Sequence, residues 1–138
     1  MRIALWILQV LLAAMFVWHG WLFVSPPAEL VGMMNDFIAP GFRIFIGVAE
    51  LLAAVGLILP AATRILPWLT PLAAAGLMIV MGSATIFHFA RGEMSNGISA
   101  LVIFALVTCV AYMRWKVYPI APRTAQPTPS TSGIRSGE

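Results

Sequence analysis

Chemistry in this chain rests on a few side chains: Glu50, His19, His88, Ser83, Thr85 and Arg91. Glu50 stands inside FRIFIGVAELLAAVGLILP, where a carboxyl is costly unless a partner group or a water-filled cavity receives it. Such a group is a functional candidate by default. Its bland reading is a carboxyl that ties the second apolar helix to the third through Ser83 or Thr85, since a neutral acid both donates and accepts. Its sharper reading is a group that handles a proton or a bound ligand. His88 divides in the same way: it pairs with Glu93 or reaches water at the membrane edge, or it relays protons with Glu50 and donates to a ligand carbonyl. Arg43 and Arg91 read as interfacial anchors.

Other chemistry is excluded or thinly supported. Cys109 is the single cysteine, so dithiol chemistry within the chain is ruled out, and a lone thiol in an apolar run reads as packing. A dinuclear bundle site needs several carboxylates with Glu-x-x-His pairs, which are missing, so no metal is expected. His19 and His88 could face a haem from two helices, but two histidines alone are weak grounds, and haem is not expected. The eight methionines read as bundle packing.

The positioning elements follow from composition. With 61% hydrophobic and 9% charged residues, the chain departs from soluble domains, which are about a quarter charged. It reads as all-α, a polytopic membrane four-helix bundle. Residues 1–118 form the transmembrane domain, with spans at about 3–24, 42–59, 66–89 and 98–113, and residues 119–138 form a disordered cytoplasmic tail rich in Pro, Ser and Thr. The Ile, Leu, Val and Phe residues of the second span favour insertion by roughly 3 to 6 kcal/mol in sum, enough to offset a central charge costing about 2.5 to 3.5. Between spans one and two, SPPAELVGMMNDFIAPG has apolar residues at helical spacing, and reads as a short interfacial helix bounded by Pro27 and Pro40. Arg91-Gly92-Glu93 and Asn96-Gly97 read as the turn before the fourth span, which frays into RWKVY.

Basic residues set the orientation. With the N-terminus cytoplasmic, Arg2, Arg64, Arg114, Lys116, Arg123 and Arg135 lie inside, and only Arg43 and Arg91 outside. At about 1.5 Å per residue, Glu50 lies roughly 12 Å from the outer surface, level with Phe16 and with Gly82 and Ser83. His19, Ser83, Thr85, His88 and Ser99 then share the outer half, and a polar pocket opening outward is the simplest geometry. The inner half holds little beyond Gln9, Thr70 and Thr108.

Gly47-Val48-Ala49-Glu50-Leu51-Leu52 and His88-Phe89-Ala90-Arg91-Gly92-Glu93, with the apolar helices around them, resemble the DoxX-like family of small four-helix bacterial membrane proteins. The resemblance runs from about Phe16 to Trp115. It implies a bacterial-type plasma membrane, a link to membrane-bound sulfur and redox metabolism, and Glu50, His88 and Arg91 as polar-centre residues. The expected role is a redox-linked accessory subunit, not an independent enzyme, with no intrinsic cofactor and a quinone as the ligand its outer pocket would take. Expected partners are membrane lipids, a redox protein and further copies of the chain, with no nucleic acid. The competing readings are a non-catalytic scaffold or assembly factor and a small proton-linked transporter component. The dearth of polar residues in the inner half argues against the last.

Overall fold

The computed structural model describes residues 1–123. Helices α1 (Arg2–Val24), α2 (Ala28–Phe37), α3 (Pro40–Thr63), α4 (Leu69–Ala90) and α5 (Met94–Tyr112) follow in order, and α5 runs on into a π-helical turn, Met113–Val117. Four of these elements, α1, α3, α4 and α5 with its π-turn, are long and apolar enough to cross a membrane. The expected disordered tail lies largely outside the described residues.

Each long helix buries one stripe. On α1 it is Leu5, Gln9, Leu12, Ala13, Phe16 and Gly20; on α3 it is Arg43, Gly47, Glu50, Ala54, Leu57 and Ala61. Both step mainly by three and four residues, the spacing that keeps side chains on one helical face. The opposite faces are just as greasy: Ile79 is 73% exposed, Ile86 72% and Leu52 68%. A surface of that kind has hydrocarbon as its solvent. In sequence around the bundle, α1 packs along α3, α3 along α4 and α4 along α5, with a slighter contact between α5 and α1. A core of Leu12, Phe16, Ala54, Leu57, Leu77 and Val107 fills the centre.

The tightest seam lies between α1 and α3. A Cβ added at Gly20 would lie 2.8 Å from the Gly47 carbonyl oxygen, and one at Gly47 would lie 2.7 Å from the Gly20 carbonyl oxygen. The two backbones are in mutual contact, as small residues allow where lipid supplies no hydrophobic drive to association. A second close approach sets Gly56 of α3 against the Ala73 side chain of α4.

Several boundaries depart from the sequence reading. The second span does not stop at Leu59: α3 continues through Pro60 to Thr63 and ends at Arg64, whose φ of 59° puts it in the left-handed region. Proline removes one backbone donor, and membrane helices tolerate that when packing elsewhere holds the helix. The third span starts at Leu69, because residues 65–68 are spent on a turn in which Leu66 also has positive φ. Asn96-Gly97 is not part of the turn. The reversal is made at Gly92, with φ 74°, and Gly97 lies inside α5 because the Phe89 ring occupies the space a Cβ would need. The RWKVY segment does not fray: the Tyr118 N–H bonds the Met113 carbonyl at 2.6 Å, closing a wide π-type turn. The interfacial helix α2 buries none of its residues.

Replacing Gly47 by Leu should separate α1 from α3 and destabilise the bundle by about 1–3 kcal/mol, the usual range for overpacking. Denaturant unfolding in detergent micelles, followed by far-UV circular dichroism, measures it. Gly41→Ala is the matched control, because nothing lies within 4 Å of a Cβ there.

Candidate functional site

Glu50 is fully buried, and its Oε2 lies 2.6 Å from His19 Nδ1. The pairing is set by helix direction. Side chains lean toward the N-terminus of their own helix, so in the antiparallel α1 and α3 His19 and Glu50 lean toward each other. A comparison of backbone depth alone puts Glu50 level with Phe16 and misses this convergence. The Gly20–Gly47 contact directly beside the pair brings the helices close enough: a Cβ on Gly20 would also sit 3.2 Å from Glu50 Cβ.

Nδ1 and Oε2 lie at hydrogen-bonding distance, and which of the two donates depends on the imidazole tautomer. The other oxygen, Oε1, is buried and has no hydrogen-bond partner. The His19 side chain is 42% exposed and its ring packs on Phe23 with centroids 4.5 Å apart. The dyad is therefore a buried carboxyl reached through a half-exposed imidazole. This differs from an open pocket floored by Glu50, since Glu50 itself meets no solvent.

Arg43 is not a snorkelling anchor. It is 6% exposed, and its Nη1 donates to the carbonyl oxygen of Phe23 in the last turn of α1. Carbonyls of a last turn have no partner within the helix, and a guanidinium there also meets the negative end of the helix dipole. Arg43 thus fastens the start of α3 to the end of α1, one turn beyond the dyad.

The other expected polar residues separate from Glu50. Ser83 is exposed on the outer face of α4, and buried Thr85 donates to Met81 O of its own helix at 2.7 Å. Ser99 likewise donates to Ser95 O in its own helix. Neither Ser83 nor Thr85 ties α3 to α4. His88 sets Nδ1 2.7 Å from Glu93 Oε2, not toward Glu50. Arg91 Nε donates to Glu93 Oε1 at 2.8 Å and Asn96 Nδ2 to Oε2 at 3.3 Å. The Arg91 guanidinium also lies 4.2 Å from the Phe37 ring centroid, linking the end of α2 to the α4–α5 turn. One polar cluster expected from sequence is two: a dyad between α1 and α3, and an ion-pair knot at the turn.

A third polar group lies at the opposite end and was hidden from sequence reasoning. Gln9, fully buried, donates from Nε2 to the Leu57 carbonyl at 2.8 Å and accepts from Arg114 Nε at Oε1 at 2.6 Å. Arg114 had the look of one more basic flank. The available signal was Gln9 itself, an amide in the middle of an apolar helix, which needs partners for both ends of its side chain.

Glu93 lies outside the spans, and its carboxyl is pushed down to about 2, chiefly by the Arg91 hydrogen bond and then by His88 and Asn96. A carboxyl with a depressed folded value stabilises the fold above its ordinary range and loses that contribution as pH falls. The melting-temperature gap between wild type and Glu93→Gln should be full above about pH 4.5 and close as pH approaches about 2. A pH series of thermal melts in one detergent measures it.

Among the described residues, no group of three or more His, Cys, Asp or Glu side chains converges as a metal site. No curated protein and no solved structure matches the chain. A family model does, that of the DoxX-like family, over residues 7–111. That stretch takes in the His19–Glu50 dyad, the turn knot and most of all four spans, and the chain belongs to the DoxX-like family.

Proposed function

We propose that this DoxX-like membrane protein is an accessory subunit of a redox system, in which the His19–Glu50 dyad hydrogen-bonds a quinone headgroup and exchanges its proton. The observation that carries the reading is the buried Glu50 carboxyl, with one oxygen on half-exposed His19 and the other without a partner. Intramembrane acids held in this way belong to proton relays and ligand sites. His19 is the residue that touches the ligand, because Glu50 is out of reach at 0% exposure. Glu50 positions the ring and is the second site for its proton.

The residues fit such a ligand. A quinone carbonyl accepts a hydrogen bond, which an imidazole N–H supplies. Exposed Trp18 and Trp21 flank His19 on α1, at a level where amphipathic rings meet the membrane interface. A quinone, when bound, supplies the electron chemistry; this chain's part is to orient the headgroup and to hold or release one proton at His19. Electrons come from a partner redox protein, so the subunit is not an enzyme on its own. The same reading sets the chain in a bacterial-type plasma membrane with both termini cytoplasmic, supported by the Arg2, Arg64, Arg114, Lys116 and Arg123 cluster at that end.

Titrating the purified protein in detergent with a short-chain benzoquinone tests it. His19→Gln should weaken binding by roughly tenfold, as expected for loss of one strong hydrogen bond to the ligand, and Glu50→Gln, which releases the His19 ring, should also weaken it. His88→Ala, in the separate turn knot, should bind as wild type does. Equal affinity in all four proteins, with helix content unchanged, removes the quinone reading.

A further inference from the structure

The half of the bundle that carries residues 1 and 112–118 has an unbalanced charge. Arg2, Arg64, Arg114, Lys116 and Arg123 lie there, while Glu29, Asp36, Glu50 and Glu93, the acidic side chains among the described residues, all lie in the other half. Four of the five cations are exposed; Arg114 is 6% exposed. A guanidinium keeps its charge at any accessible pH, and a buried charge is costly unless an anion compensates it. Gln9 cannot do that. It is neutral, its oxygen already takes Arg114 Nε and its nitrogen is committed to Leu57 O, and Arg114 Nη2 is left with no partner.

The guanidinium lies 5.1 Å from the centroid of the Trp6 ring. That same Trp6 borders a shallow, wide-open apolar groove on the membrane-facing side of α1, with Ile3, Ile7, Val10 and Leu11. Trp6 is half-buried and touches both the groove and the cation. The Arg2 guanidinium stands 5.8 Å from the Tyr118 ring centroid, beside the π-turn that carries Arg114. An apolar strip along a spanning helix, beside an uncompensated cation, is complementary to an amphiphile with an anionic head.

We propose that Arg114 and the α1 groove form a binding site for an anionic phospholipid. An acyl chain lies along Ile3, Ile7, Val10 and Leu11, and the phosphate accepts from Arg114 Nη2 once Trp6 turns aside. Arg2 and Lys116 add favourable field at the surface. A partner protein's carboxylate would satisfy the charge but leaves the apolar strip beside it unused, so the lipid is favoured.

Native mass spectrometry of the full chain, taken from mixed micelles containing phosphatidylglycerol or phosphatidylcholine, tests the site. Wild type should retain phosphatidylglycerol in preference to phosphatidylcholine, and Arg114→Gln should lose that preference by roughly tenfold. Arg123→Gln, an exposed cation at the same end, should keep it. Ile7→Trp fills the groove while leaving the Arg114–Gln9 bond intact; it should lower phosphatidylglycerol retention and serves as the test if Arg114→Gln does not fold. Equal retention of the two lipids, wild-type retention in both Arg114→Gln and Ile7→Trp, or displacement of the lipid by inorganic phosphate alone would overturn the assignment.

Discussion

The contact between Gly20 and Gly47 is the constraint on which the rest of the molecule depends. Each backbone oxygen occupies the place where the other residue's Cβ would be. In lipid the apolar effect does not drive helices together, so close backbone packing must carry much of the association. The contact also fixes the only distance over which a short carboxyl on α3 can meet an imidazole on α1. Moving the helices apart by the width of one methyl group would leave Glu50 buried without its partner, a far more costly state than the paired one. Packing and polar satisfaction are thus one problem in this seam, and Arg43 locks it from the end by taking the last-turn carbonyl of Phe23.

Among the described residues, side-chain to side-chain polar contacts gather mainly in three places: the dyad, the turn knot at Glu93, and the Gln9–Arg114 network. The dyad and the Gln9–Arg114 network join elements that the chain does not connect directly. Gln9 and Arg114 are 105 positions apart, and their bond closes the slight α1–α5 contact of the bundle. The turn knot works differently. It draws three donors onto one carboxylate and reaches α2 through Phe37, so the helix that buries nothing is still tethered.

Helix number, helix order and the interfacial segment were legible in the sequence because apolar run length and proline punctuation are local signals. Local signals also misled. Pro60 read as a stop, yet α3 passes through it, and Asn96-Gly97 read as a turn although Gly97 exists to admit the Phe89 ring. The Glu50 position stood out in the sequence, but its partner did not. Depth counted along each helix puts Ser83 level with Glu50, whereas the lean of side chains in antiparallel helices selects His19. Arg114 shows the same limit more sharply. Its burial depends on an amide on another helix, and nothing within its own segment distinguishes it from an ordinary basic flank.

The apolar core has a consequence for charge movement. Between Gln9 and Glu50, the interior is closed by Leu12, Phe16, Ala54 and Leu57, of which Phe16 and Leu57 are wholly buried. Such a plug is an electrical insulator: it holds no oxygen or nitrogen side chain along which a proton could hop. The two polar ends of the bundle, at Gln9 and at Glu50, are therefore separated by apolar packing and not joined by side-chain hydrogen bonds.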